Sequence, residues 1–349
     1  MSFFSSISQN NVMPLNGDEG NPAVPQALSL WNAQDWRGLK SLYRSLPAAD
    51  RTHMIIRMGW ALAFHEISNP YDYEPEIKVI IAGITHIWAW KARGFGYGHE
   101  IEKQDWEKCD YLAEQAYLIL KEAEKDLSKD SALYAIMLYN EHLLAGFRYD
   151  KRAKDEGGKP SGYIDDVVNH AVDQLETCTE QNILAAHAHI LFDSPKWHGD
   201  LNRMYNTTHY HISKRPSAYW LGLHAMAYFE EWYWYVAFEE DAQKAKEYKN
   251  MLDTLPFIGE IHKLNDAYWN ERSQQSTNAP FAEKIFAYNY FSILLTQLCQ
   301  EKLAKPHLEE MGKTVTFIPW CRVYAEDEIY KNINKFRAKT GLKKIEFKD

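Results

Sequence analysis

The chain has 349 residues, 46% hydrophobic and 14% aromatic, which is enough apolar side chain for a sizeable core and sets aside disordered, collagenous and low-complexity classes. Lys+Arg 39 against Asp+Glu 48 gives a net charge of −9, which argues against general nucleic-acid binding, because phosphate neutralisation demands cationic surface. Gly 17 and Pro 13 are few for an all-β protein needing a turn every few residues.

Residues 1–26 are rich in Ser, Asn, Gly and Pro and read as a flexible leader. They lack the basic start and apolar run of a signal peptide, and no window reaches the ~18 uninterrupted apolar residues of a membrane span. Leu28, Trp31, Trp36, Leu39, Leu42 and Tyr43 then recur at helical spacing up to Pro47, and Met54, Ile55, Met58, Ala61, Leu62 and His65 continue it. Pro75 opens a helix in the favoured first-turn position that runs through Ile80, Ile84, Ile87 and Trp88 to Arg93, where Gly94-Phe95-Gly96-Tyr97-Gly98 ends it. Residues 106–125 and 131–147 read as an antiparallel helix pair joined by a short polar turn. The charged, glycine-rich stretch 149–162 is the best internal loop. Helical spacing resumes at Ile164, and further helices are expected near 181–192, 200–212, 217–238, 239–252, 257–270 and 280–303. Only residues 314–318 (TVTFI) alternate like a strand. The expected fold is therefore all-α with at most one short strand: a globular bundle or, more sharply, stacked antiparallel helix pairs, an α-solenoid. Residues 27–349 form one helical-repeat domain, with 149–162 as the place where it would divide into two lobes. Trp36, Leu39 and Tyr43 fit the opening of a tetratricopeptide repeat, and Thr52 and Gly59 stand where small packing residues belong, although no constant period follows.

Six histidines, His187, His189, His198, His209, His211 and His224, fall within 38 residues. His187/His189 and His209/His211 are each two apart, which on a helix turns their side chains about 200° from one another, and neither H-E-x-x-H nor E-x-x-H occurs. No metal or other cofactor is expected, and the histidines are read as solvated or hydrogen-bonded. The Gly94-x-Gly96-x-Gly98 run follows a helix rather than a strand, so it reads as a helix end instead of a phosphate loop. There is no G-x-S-x-G, and Cys109, Cys178, Cys299 and Cys321 are scattered without a C-x-x-C pair, as expected of reduced thiols in a cytoplasmic protein.

The most unusual segment is YFEEWYWYVAFEED, residues 228–241, in which Tyr228, Phe229, Trp232, Tyr233, Trp234, Tyr235 and Phe238 fill seven of eleven positions. On a helix they point in nearly every direction, which suits either a central packing helix or a concave wall whose aromatic anchors and carboxylates grip a partner. The candidate partner-binding residues are Glu230, Glu231, Trp232, Trp234, Glu239, Glu240 and Asp241. Charge is uneven as well. Residues 331–349 carry seven basic groups against Glu346 and Asp349, a local +5 that leaves −14 for residues 1–330 out of the total −9. An acidic body could steer a basic partner.

The segment Pro195-Lys196-Trp197-His198-Gly199-Asp200-Leu201, with Arg215-Pro216-Ser217 after the next helix, resembles a family of uncharacterised bacterial helical-repeat proteins. A P-x-W-x-G-[SD] turn opens a helix in that family; here His198 stands where Gly is commoner. The general pattern extends over residues 30–240. The resemblance implies an all-α, tetratricopeptide-like fold without known catalysis, and some such proteins are encoded beside secreted antibacterial toxins and could serve as their cytoplasmic antidotes. Independently of it, Trp197 is expected to pack back, Gly199 to free the backbone and Asp200 to cap the next helix. The leading expectation is a non-enzymatic cytoplasmic scaffold that binds a protein, most concretely an immunity protein against a toxin with a basic surface, with neither nucleic acid nor membrane as partner. The alternatives are a helical metal-dependent enzyme centred on residues 187–224 with Glu230 and Glu231, and a peptide-sensing regulatory solenoid.

Overall fold

The computed structural model describes residues 18–65, 67–94, 101–156, 163–238, 241–252, 254–275 and 278–346. The fold is all-α: among the described residues there are sixteen α-helices and no strand. The chain divides into two compact units, one spanning residues 21–189 and the other taking residues 18–20 with 190–346. No helix among the described residues is long and apolar enough to cross a membrane. All four cysteines are free thiols, and burial pushes that of Cys109 up to about 12.

The first unit contains α1 (Ala23–Asn32), α2 (Trp36–Ser45), α3 (Ala48–Ala61), α4 (Pro75–Arg93), α5 (Lys103–Leu127), α6 (Ser131–Glu156) and α7 (Tyr163–Thr177). The division falls inside α8 (Ile183–Phe192), between His189 and Ile190. Local chemistry defines α4 at both ends. Pro75 and Glu76 occupy its first turn, Lys91 and Arg93 its last, and Gly94 at φ 76° sends its N–H to the Trp90 carbonyl at 2.9 Å. Residues 76–89 are all buried, with α2, α3, α5 and α6 packed around them. Ile80, Ile81 and Ile84, each at most 1% exposed, contribute about 1.5–3 kcal/mol apiece by leaving water. Gly83 faces Ile55 and Gly59 faces Ile87, each so closely that an added Cβ would collide, and this reciprocal fit seats α3 against α4.

Polar side chains tie the helix ends together. The Asn182 amide donates to the Thr52 hydroxyl at 2.8 Å and the Ser131 carbonyl at 3.2 Å, while its oxygen accepts from the Leu184 N–H at 3.0 Å at the start of α8. Arg51 donates to Glu180 at 2.7 Å and Asp130 at 3.2 Å, and Asp130 also accepts from the Tyr43 hydroxyl at 2.7 Å. The loop expected at 149–162 is helical as far as Glu156, where α6 ends; residues 157–162 lie outside the described residues.

The second unit holds α9 (Leu201–Lys214), α10 (Gly222–Tyr233), a π-helical turn at Trp234–Phe238, α11 (Ala242–Leu252), α12 (Leu255–Gln274), α13 (Phe281–Gln297), α14 (Glu301–Met311), the single turn α15 (Phe317–Trp320) and α16 (Ile329–Lys339). Its enclosed helix is α13, buried from Ala282 to Thr296 except at Lys284. The single helix expected over 280–303 is two. Cys299 takes a left-handed φ of 55°, and the Gln300 N–H turns back to the Leu295 carbonyl at 2.8 Å, closing α13 before α14 begins.

The strand reading of residues 314–318 needs correcting. Thr316 and Ile318 are extended, but no neighbouring strand pairs with them, and α15 starts at Phe317. One buried side chain takes over the work of a ladder: Asn289 donates to the Thr314 carbonyl at 2.9 Å and accepts from the Thr316 N–H at 3.1 Å. The Phe317 N–H goes to the Glu19 carboxylate at 2.8 Å. With their polar groups satisfied in this way, the alternating apolar side chains Val315 and Phe317 bury without a sheet.

Candidate functional site

The aromatic run occupies the second half of α10 and the π-helical turn, and its residues separate onto two sides. Phe229, Glu230 and Trp232 are buried. The Phe229 ring lies near-parallel to Trp232, with centroids 6.0 Å apart, and meets Tyr290 of α13 edge-on at 6.2 Å. Glu230 points inward to the Arg322 guanidinium at 4.0 Å, and that guanidinium sits over the Tyr233 ring at 5.6 Å. Glu230 and Trp232 are thus placed in the interior, where Trp232 is 8% exposed.

The other side of α10 carries His224, Tyr228 and Glu231, spaced four and three residues apart and all half-buried. The Glu231 carboxylate accepts a hydrogen bond from the Tyr205 hydroxyl of α9. Burial raises its pKa above the ordinary carboxylate value, with the Tyr205 bond opposing the rise. Burial, and then the charge of Glu231, pushes the Tyr205 phenol upward. Tyr228 meets Tyr205 at 5.7 Å with the rings at 61°, Phe257 of α12 at 5.5 Å and 90°, and His224 at 6.4 Å. His224 in turn meets His209 of α9 at 4.9 Å, and its pKa falls to about 4 through burial and the neighbouring His209. Tyr235 in the π-helical turn stacks on Tyr248 of α11 at 4.1 Å. Helices α9, α10, α11 and α12 therefore share a half-exposed aromatic surface with a carboxylate set into it.

Of the residues singled out from sequence, the structure places Glu231 on this surface and Trp234 half-buried in the adjoining turn. Asp241 is exposed and caps α11, accepting from the Gln243 and Lys244 N–H groups at 2.9 and 3.2 Å. Glu239 and Glu240 lie outside the described residues. Tyr228 and Tyr235 of the aromatic run and His209 of the histidine group complete the surface with Tyr205, Tyr248 and Phe257, which the sequence did not single out. The legible signals were the i, i+4 pair Tyr205/His209 and the i, i+4, i+7 stripe His224/Tyr228/Glu231.

The six histidines do not gather into one cluster, although His209 and His224 meet at 4.9 Å. His187 bonds the Tyr139 hydroxyl at 2.6 Å, His198 lies against Phe192 at 4.6 Å, and His211 is buried beside Tyr210. Among the described residues no three His, Cys, Asp or Glu side chains are grouped to hold a metal ion.

Asp200 caps α9 by accepting from the Arg203 N–H at 2.9 Å. Gly199 is required for space rather than for backbone freedom, because an added Cβ would strike the Asp193 carbonyl. At the end of α4, Lys91 donates to the Trp60 carbonyl in the last turn of α3 at 2.7 Å and to that of Leu62 just after it at 3.0 Å, and burial with the nearby Arg57 lowers its pKa to about 8. The Arg93 guanidinium lies 5.4 Å from the Trp90 ring and 5.0 Å from that of Trp106. Residues 95–100, which include the rest of the glycine run, lie outside the described residues.

No family model matches the chain, and comparison with curated proteins and with solved structures finds no match.

Proposed function

We propose that the chain is a non-enzymatic protein-binding scaffold that docks its partner on the aromatic surface of α9–α12. The observation that carries this reading is the half-buried Glu231 carboxylate held by Tyr205 among Tyr228, Tyr235, Tyr248 and Phe257. Tyrosine offers large contact area at small cost in side-chain entropy and keeps a polar tip for water or a partner, which is why it is enriched at binding hot spots. The partner is a protein with a basic surface, since residues 1–330 carry −14 and would draw it in electrostatically. In its most specific form the scaffold is a tetratricopeptide-like bacterial immunity protein that neutralises a toxin in the cytoplasm; the resemblance of residues 195–201 supports that form.

Co-expression with the products of adjacent genes tests the proposal. The scaffold should retain one basic product through purification and protect cells from it, and Tyr228→Ala should lose both effects while remaining folded. Absence of a retained product together with absence of protection would overturn the reading.

A further inference from the structure

The partner's chemistry can be narrowed by asking what the carboxylates of the second unit are paired with. Asp193 is buried and binds Arg203 at 2.7 Å. Glu283 is buried and faces Arg215 at 3.3 Å, and Glu230 is buried and faces Arg322 at 4.0 Å. Each of these three has an arginine, whereas Glu19, also buried, accepts from the Phe317 backbone N–H at 2.8 Å. Glu231, half-buried one residue after Glu230, accepts from the Tyr205 hydroxyl, and no lysine or arginine among the described residues pairs with it. A carboxylate drawn out of bulk water without a counter-ion is unfavourable, and a neutral phenol offsets only part of that loss.

The groups around Glu231 do not supply the missing charge. From α9 come Tyr205 and His209, from α10 His224 and Tyr228, and from the π-helical turn Tyr235, which stacks on Tyr248 of α11. From α12 come Phe257 and Glu260, and Glu260 is already paired with Lys263 at 2.7 Å. Burial keeps His224 neutral at neutral pH. What surrounds the carboxylate is mainly phenol and phenyl rings, with the His224 and His209 imidazoles beside them, and the Tyr205 and Phe257 rings stand at 61° and 90° to Tyr228 while His224 lies near-parallel to it. Aromatic rings attract cations through their negative faces, and a fixed carboxylate completes the match.

We infer that the Tyr205–Tyr228–Glu231 surface is a recognition site for an organic cation, namely the ammonium or guanidinium group of a lysine or arginine side chain presented by the partner. This rests on the scaffold reading above. The partner's cation takes the place that Arg203, Arg215 and Arg322 fill for Asp193, Glu283 and Glu230.

The test needs no partner. The full chain, labelled at tyrosine ring carbons, is titrated by NMR with n-butylammonium, n-butylguanidinium and the neutral n-butanol. Saturable shifts of Tyr205, Tyr228 and Tyr235 are expected with at least one cation and not with the alcohol, and the better cation identifies the side chain. Glu231→Gln, which keeps shape, should weaken binding about tenfold through loss of the charge. Tyr228→Phe, which keeps the ring, should leave it within about twofold. Absence of saturable shifts, equal shifts with butanol, or unchanged affinity in Glu231→Gln would overturn the inference. Cation binding by a chain that retains no protein would leave it standing and sink the scaffold proposal. Retention of a partner by a chain blind to both cations would do the reverse.

Discussion

Asn289 uses its whole amide: the nitrogen donates to the carbonyls of Ile285 at 2.8 Å and Thr314 at 2.9 Å, and the oxygen accepts from the Thr316 N–H at 3.1 Å and the Trp320 indole at 2.9 Å. Replacement by alanine strands several buried groups at once, so Asn289→Ala should cost about 3 kcal/mol in urea unfolding. A loss below about 1 kcal/mol would mean that water or a shifted backbone takes over those bonds. Buried histidines give the molecule an acid limit. Burial lowers the pKa of His86 to about 4, against the opposing bond to Asn140, and that of His307 to about 3. Both are protonated more readily unfolded than folded, so stability is full above pH ~6.5 and falls as pH drops toward 4, by up to about 3 kcal/mol per histidine. Thermal melts across that range should show the decline, and His307→Gln should flatten it. These single-residue roles were hidden in the sequence, because nothing local to Asn289 or His307 announces partners that lie 25 or 42 residues away.

At the scale of elements, legibility followed local chemistry. Pro75, Glu76, Arg93 and Gly94 state both ends of α4, and Asp200 states the start of α9. The break after α13 carries no glycine or proline, since Cys299 takes the left-handed turn, and α13 and α14 therefore read as one helix. Residues 314–318 alternate like a strand, yet their polar groups are met by a side chain from α13. The aromatic surface was half legible. Seven aromatics in eleven positions blur any single face, and the π-helical turn at Trp234–Phe238 follows no 3.6-residue rhythm. What separates the inward Glu230 from the outward Glu231 is the position of Arg322 and Tyr205, which only the fold supplies. The close seat of α3 on α4 makes a further prediction. Gly83→Ala forces a collision with Ile55 and should destabilise by about 1–3 kcal/mol. In hydrogen exchange the loss of protection should concentrate in α3 and α4 and spare α13; uniform loss through both units would contradict their separate cores.

For the whole molecule, an all-α fold was plain from the spacing of apolar residues, whereas its division was not. The glycine-rich stretch 149–162 reads as the natural boundary, but α6 runs on to Glu156 and the two units divide inside α8. A boundary within a largely buried apolar helix leaves no compositional mark, because no glycine, proline or run of charge interrupts residues 183–192. Each unit has its own enclosed helix, α4 in one and α13 in the other, so each carries a core of its own. In the proposed scaffold, the acidic body would set how fast a basic partner arrives, and the tyrosine-walled carboxylate whether it stays. The most direct measurement of that claim is the dissociation rate of the retained partner from two charge reversals of equal size, Glu231→Arg on the aromatic surface and Glu107→Arg on the exposed face of α5. Glu231→Arg is predicted to speed dissociation about a hundredfold, and Glu107→Arg to change it less than about threefold while slowing association at low salt. Equal effects of the two reversals on dissociation would contradict a docking site at Glu231.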